Sequence, residues 1–184
     1  MTDSCQRLDG LLEPAALAAF LRCCGSRRWA EAMVSGRPYR DRSALQAAAE
    51  RAFVPLGRED WLEAFSHHPR IGDRGALAAR FTPTPAHDAA DFRARAAAWS
   101  ASEQSAVAGA GDDVLDALLQ ANRDYEARFG HIFIVCATGK SASEMLALLR
   151  ERLPNGPEAE LEIAAAEQRK ITAIRLEKLL REGP

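Results

Sequence analysis

The sequence has few of the residues that build β-sheets. Among its 184 residues there are only 5 Val and 6 Ile, against 37 Ala and 20 Leu. Ala and Leu lead the scale of helix propensity, whereas strands are enriched in β-branched residues. A chain of this length buries roughly 70% of its unfolded surface, so its stability requires neither disulfides nor a structural metal. We therefore predict an all-α fold, a multi-helix bundle that forms a single domain over residues 1–184.

An excess of charge of one sign is also absent. Lys and Arg total 24 and Asp and Glu total 26, which gives a formal net charge of −2. Proteins that bind nucleic acids or anionic membranes carry a basic excess. The charge balance therefore argues against both kinds of partner.

Cysteine pairs, a leader segment and long apolar runs are missing as well. The four cysteines form no CxxC pair, and the adjacent Cys23 and Cys24 make a poor disulfide or zinc half-site, so buried free thiols are predicted. The first residues lack the charged and apolar regions of a signal peptide. The most apolar stretch, residues 131–137, is far shorter than the ~20 residues of a membrane-spanning helix. Together these features predict a cytoplasmic protein.

Signals for helix starts and ends divide the sequence into a series of helices. Pro14 suits a first turn, and Ser43 with Gln46 has the form of a capping box. Residues 81–88 are predicted to form an irregular connector. The predicted helices run from Pro14 to Gly25, around Trp29 and Met33, from Ser43 to about Phe53, from about Trp61 to the neighbourhood of His68-Pro69, and over about 89–108, 112–129, 142–153 and 157–181.

The first candidate for chemistry is His68, which stands between a predicted helix end and Pro69. A histidine held in this position can face a cleft, and its ordinary pKa near 6.5 suits proton transfer at neutral pH. Alternatively its imidazole, like that of His67, only binds the last carbonyls of the helix. A metal site is less favoured, because adjacent helical residues diverge by about 100° and no His or carboxylate stands four residues after either histidine to complete an HExxH-type pair.

The second candidate is Glu103, which is preceded by Ser100 and followed by Gln104. Ser-x-x-Glu before a helix is a capping box, in which each side chain accepts a hydrogen bond from the other residue's main-chain N–H. Ser141 and Glu144 have the same pattern. Since a carboxylate at a helix N-terminus can also face a site, a structural and a functional interpretation both stay open for Glu103.

The third candidate is the apolar run after Gly130, which contains Ile132, Phe133, Ile134 and Val135. Such a run is typical of a buried core. A buried segment that leaves a helix can nevertheless expose main-chain amides, and these can bind an anion or a developing oxyanion.

The fourth candidate is Arg175 in the C-terminal helix. At about 100° per residue it shares one stripe with the apolar side chains of Leu161, Ala164, Ile171 and Leu179. An arginine in such a stripe should be paired or functional, because an isolated buried charge is costly. It either forms a structural salt bridge or binds a carboxylate or imide-like ligand through paired hydrogen bonds.

One His, one Glu and one Arg without a cofactor or metal motif favour acid–base chemistry on an anionic small molecule. An alternative enzyme would hydrolyse a cyclic amide with a metal bound at His67 and His68, and would contain stoichiometric metal. A third possibility is a helical interaction module without catalysis, which would expose an apolar stripe.

Nine short motifs, in a fixed order from about residue 11 to 181, resemble those of the 2-oxo-4-hydroxy-4-carboxy-5-ureidoimidazoline (OHCU) decarboxylase family of urate breakdown. Each motif is weak alone, but their order is specific. The motifs are Ser26-Arg-Arg-Trp29, Arg37-Pro38-Tyr39, His68-Pro69-Arg70-Ile71-Gly72, Trp99-Ser100-x-x-Glu103-Gln104, Asn122-x-x-Tyr125, Phe129-Gly130-His131 continuing to Ala137, Gly139-Lys140-Ser141, Arg152-Leu153-x-Asn155 and Glu167-x-x-Lys170-Ile171-x-x-x-Arg175-Leu176.

The resemblance implies an all-helical carboxy-lyase without cofactor or metal, usually a homodimer, that converts OHCU into (S)-allantoin and CO2. It implies that His68 and Glu103 form the acid–base pair and that Arg175 binds the anionic substrate. The other residues that it places around the substrate are Pro69, Ser100, Gln104, Ile132, Phe133, Ile134 and Val135.

Overall fold

The structure is a computed structural model that describes residues 2–69 and 112–183. Within these ranges the chain forms eight α-helices and no β-strand, which confirms the all-α prediction for the described part. The predicted connector at 81–88 and the predicted helix at about 89–108 lie outside it. The helices are α1 (Thr2–Asp9), α2 (Glu13–Cys23), α3 (Arg27–Ser35), α4 (Arg42–Phe53), α5 (Arg58–Ser66), α6 (Asp112–Phe129), α7 (Ala142–Arg152) and α8 (Pro157–Glu182).

The local signals that predict helix ends are largely confirmed. Pro14 lies in the first turn of α2. Helix α5 ends at Ser66, shortly before Pro69. The predicted capping box opens α7, where the Glu144 N–H donates to Ser141 Oγ at 3.3 Å and the Ser141 N–H donates to Glu144 Oε2 at 2.7 Å. At these three helix ends the local sequence signal therefore predicts the boundary.

The predicted start of α4 is wrong. The capping residue is Asp41, whose Oδ1 accepts a hydrogen bond from the Ala44 N–H at 2.8 Å, and Ser43 lies inside the first turn. Aspartate caps a helix as well as serine does, and its charge is also attracted to the helix N-terminus. The hydrogen bond from Ala44 holds the pKa of Asp41 below its ordinary value. The sequence signals also do not predict α1.

Contacts divide the chain into two compact units, which we describe separately. The first consists of Met1–Ala64 and Gln168–Pro184, and the second of Phe65–Glu167. The single domain over residues 1–184 stays a prediction. None of the helices in the described ranges combines the length and the apolar character needed to cross a bilayer.

Stacked aromatic rings form the core of the first unit. The rings of Trp29 and Phe53, and those of Phe53 and Trp61, are stacked with centroids 5.5 Å apart. Phe20 meets Trp29 and Tyr39 edge-on, at 6.1 and 6.3 Å. Offset stacks and edge-to-face pairs are the preferred arrangements of aromatic rings. These contacts join α2, α3, α4 and α5 into one core.

In the second unit, α6 and α7 pack against each other and against the irregular segment between them, residues 131–137, which we call segment 131–137. The segment supplies the core with Phe133, Val135 and Ala137. The remaining buried members of this core are Leu118, Ala121, Tyr125, Phe129, Ala142, Met145, Leu146 and Leu149.

The four cysteines are free thiols, as predicted. Cys5, Cys23 and Cys24 are buried, whereas Cys136 in segment 131–137 is half-buried. The prediction of complete burial is therefore wrong for Cys136, because the segment is only partly covered at this residue.

Candidate functional site

The structure places the predicted site residues in both units. His68 and Pro69 follow α5 in the second unit, which also contains segment 131–137. Arg175 lies on α8 in the first unit. The predicted residues outside the described ranges are Ser100, Glu103 and Gln104.

His68 is positioned by a turn that directly follows α5. Its main-chain N–H donates to the Phe65 carbonyl at 3.1 Å, and its side chain is half-buried, whereas that of His67 is exposed. Phe65 is buried, and its ring centroid lies 5.1 Å from that of His131. The end of α5 therefore lies against the start of segment 131–137, in the same unit as His68.

Segment 131–137 combines buried side chains with several amides that have no main-chain acceptor among the described residues. Phe133, Ile134 and Val135 are buried and Ile132 is half-buried, which agrees with a run of core residues. Within the described ranges, the amides of residues 132–135 make no main-chain hydrogen bond. The sequence-based alternative, in which this run offers amides to an anion, is thus compatible with the burial of its side chains.

Side chains supply hydrogen bonds to the backbone of segment 131–137 that a neighbouring strand would supply in a sheet. Arg152 Nη1 donates to the Ile134 carbonyl at 2.8 Å. The Cys136 N–H donates to Glu167 Oε2 at 2.7 Å, and Lys140 Nζ donates to the Cys136 carbonyl at 2.8 Å. Each of these contacts satisfies a main-chain group that would be costly to bury without a partner.

Arg152 belongs to a buried polar network. Its Nε donates to Glu160 Oε1 at 2.8 Å, the Tyr125 hydroxyl donates to the same oxygen, and Asn155 Nδ2 donates to Oε2 at 2.8 Å. The guanidinium carbon also lies 4.6 Å from the ring centroid of Phe133. Burial and the Glu160 carboxylate raise the pKa of Tyr125 far above its ordinary range, so the hydroxyl remains a donor.

The sequence-based site predictions missed Arg152 and Glu160, although two signals were present. Arg152, Asn155 and Tyr125 stand in motifs on which the resemblance rests. Glu160 precedes Ala164 by four residues and therefore lies on the stripe of the C-terminal helix that also carries Arg175. Like an arginine, a carboxylate in such a stripe should be paired or functional, because an isolated buried charge is costly.

Arg175 is buried within the predicted stripe of α8. Its side chain is 2% exposed, and its Nη1 lies 3.5 Å from the Arg22 carbonyl. Burial raises the pKa of the neighbouring Cys24 thiol to about 11, while hydrogen bonds from Ser26 and Thr172 and the charge of Arg175 oppose this rise. The predicted burial of Arg175 among the apolar residues of this stripe is confirmed.

Three surface cavities of the first unit are lined by residues that the structure describes. They have volumes of about 360, 310 and 250 Å³. Thr172 and Leu176 of α8 line the third, but Arg175 lines none of these three. Support for ligand binding by Arg175 therefore comes from the sequence motif and from burial of its charge.

Comparison with known proteins gives consistent matches over most of the chain. The family model for OHCU decarboxylase matches residues 10–177. The uric acid degradation bifunctional protein TTL of Arabidopsis thaliana is 43% identical over 158 residues, which cover 85% of this chain but 45% of that protein. The 2-oxo-4-hydroxy-4-carboxy-5-ureidoimidazoline decarboxylase of Amia calva is 30% identical over 156 residues, which cover 82% of this chain and 79% of that one.

Two solved structures also superpose on most of this chain. A crystal structure of OHCU decarboxylase in the presence of (S)-allantoin superposes with a TM-score of 0.70 and 36% identity, covering 89% of this chain and 98% of the other. A structure of (S)-allantoin synthase superposes with a TM-score of 0.63 over 95% of this chain and 53% of the other, and at 18% identity it shows a shared fold only. The chain belongs to the OHCU decarboxylase family.

Proposed function

We propose that this chain catalyses the decarboxylation of OHCU to (S)-allantoin and CO2 in urate degradation, without a cofactor. The observation that carries the proposal is the 36% identity to an OHCU decarboxylase structure obtained with (S)-allantoin, over 98% of that chain. The described part of this chain also contains the elements that the chemistry requires: a histidine at a helix end and a segment with available amides.

The reaction breaks the bond between the ring carbon and the carboxylate carbon. CO2 leaves, and the electron pair of that bond delocalises into the imidazolone ring. Hydrogen-bond donors placed where this negative charge develops lower the barrier. The amides of residues 132–135 are suited to this task because they have no main-chain acceptor in the described ranges.

A proton must then reach one face of the planar intermediate, because the face of protonation fixes the configuration of allantoin. His68 contacts the hydroxyl or carboxylate region of the substrate and promotes CO2 loss. Glu103 hydrogen-bonds ring or ureido nitrogens and takes part in protonation. Arg175 binds an anionic or imide-like group through paired hydrogen bonds.

The remaining proposals complete this assignment. We propose that the enzyme is a homodimer, as the family resemblance implies, and that it acts in the cytoplasm. The substrate is also surrounded by Pro69, Ser100, Gln104, Ile132, Phe133, Ile134 and Val135.

The rate of CO2 release from substrate freshly generated by urate oxidation tests the proposal. Wild-type protein should release CO2 faster than the uncatalysed decay. His68→Ala should lower the catalysed rate about 10²-fold or more, since general acid–base catalysis contributes that much. His67→Ala is the matched control and should keep the wild-type rate, because His67 is exposed. A wild-type rate for His68→Ala would exclude the role assigned to His68.

A further inference from the structure

Arg152 reaches segment 131–137 from within the buried network. Its Nη1 holds the Ile134 carbonyl at 2.8 Å while its Nε and Nη2 donate to Glu160, which is fully buried. A guanidinium is a planar fork, so fixing two of its nitrogens on a carboxylate fixes the direction of the third. The position of the Ile134 carbonyl is therefore set by a residue that stands 18 positions further along the chain.

The geometry of the peptide group passes this constraint on to a neighbouring amide. The Ile134 carbonyl and the Val135 N–H belong to one planar, trans peptide group, in which they point in opposite directions. Because the carbonyl points at Arg152, the Val135 N–H points away from the network. The groups held by side chains belong to Ile134 and Cys136, and this two-residue spacing is that of one edge of an extended chain.

The geometry points to Arg152 as a positioning residue that directs the Val135 N–H toward the reacting ligand, an inference that rests on the proposed function. Glu160 and Tyr125 assist by locking the guanidinium, and Phe133 supports its face at 4.6 Å. Arg152 itself does not touch the substrate. It acts through the backbone, and donors that are fixed before the reaction stabilise developing charge without a cost of reorganisation.

Hydrogen exchange of the folded protein, followed by mass spectrometry, tests this role without substrate. Arg152→Lys retains the charge and loses the fork, so the Cys136 amide of segment 131–137, which is hydrogen-bonded to Glu167, should exchange about tenfold faster through local opening, while the amides of α1 stay as in wild type. Arg150→Lys is the matched control, because Arg150 lies exposed on the same helix. Arg152→Lys and Arg150→Lys exchanging alike in the segment would overturn the inference.

Steady-state kinetics supply the second readout. Arg152→Lys should lower kcat on the order of 10²-fold with a much smaller change in KM, because a misdirected donor weakens transition-state stabilisation. Tyr125→Phe, which leaves the pairing of Arg152 with Glu160, should change exchange and kcat in the same direction by less. If Arg152→Lys does not fold, Tyr125→Phe becomes the test of the positioning role. Wild-type hydrogen exchange and wild-type kcat for Tyr125→Phe would then contradict the inference.

The two proposals can fail separately. If wild-type protein releases CO2 no faster than the uncatalysed decay, the proposed function fails, whereas the exchange comparison still tests whether Arg152 orders the segment. If wild type is active and Arg152→Lys keeps wild-type kcat and exchange, only the positioning role fails.

Discussion

Segment 131–137 and helix α7 follow one another in the chain but satisfy their main-chain polar groups in opposite ways. Helix α7 uses its own carbonyls and a capping box of residues three positions apart, Ser141 and Glu144. The segment depends on Arg152 and Glu167, which stand 18 and 31 positions from the groups they bind. The start of α7 is set by residues that are neighbours in the sequence, whereas the irregular backbone of the segment is fixed by contacts that form only in the folded chain.

The largest expected effect comes from removing the carboxylate on which the remote arrangement depends. Glu160→Ala leaves the buried Arg152 without its paired charge, and breaking a buried pair costs about 3–5 kcal/mol. Urea denaturation should show this loss in the free energy of unfolding. Glu158→Ala, at an exposed residue in the first turn of the same helix, is the control. Equal stabilities of the two variants would refute the dependence on Glu160.

Arg175, unlike the residues of segment 131–137, lies on a regular helix. Its backbone is held by α8 itself, so Arg175→Ala should change binding rather than backbone order. Loss of hydrogen bonds to a charged group costs about 1.5–3 kcal/mol, and KM should rise roughly tenfold to 100-fold. Arg181→Ala, exposed on the same helix, should leave KM unchanged. An unchanged KM for Arg175→Ala would assign Arg175 to a structural salt bridge.

Removing the capping box of α7 should cost less free energy than the changes above. Ser141→Ala removes the capping oxygen of α7, a change that costs about 1 kcal/mol in helices of this kind. The free energy of unfolding should fall by that amount, while hydrogen exchange in segment 131–137 stays as in wild type. Faster exchange in the segment would mean that α7 and the segment are not ordered independently.

The smallest effect concerns acid pH. Hydrogen bonds from the N–H and hydroxyl of Ser141 hold the pKa of Glu144 below its ordinary 4.5. The folded state therefore binds a proton less readily than the unfolded state, and the stabilisation is present above pH 4.5 and lost as the pH falls through the folded value. Thermal unfolding of wild type and Glu144→Gln should differ by a constant amount above about pH 5 and converge in more acidic solution. A difference that grows on acidification would contradict this sign.

The sequence predicts features whose causes lie close together in the chain. Pro14, the Ser141 capping box and the stripe of α8 were recognisable because each depends on residues within a few positions. The start of α4 was not, because Asp41 and Ser43 are both good caps and nothing local ranks them. The partners of segment 131–137 were not predictable either, since Arg152 and Glu167 stand 18 and 31 positions from the main-chain groups they bind and meet them only in the folded chain. The roles of His68, Glu103 and Arg175 rest on the family resemblance and stay predictions.

The optical activity of the product tests the central claim most directly. The substrate also decays without a catalyst, so only a chiral site that delivers the proton to one face yields one enantiomer. Circular dichroism of allantoin formed from freshly generated substrate with wild-type protein should show accumulation of the (S)-enantiomer, faster than the uncatalysed decay. Racemic allantoin formed at the uncatalysed rate would contradict the account.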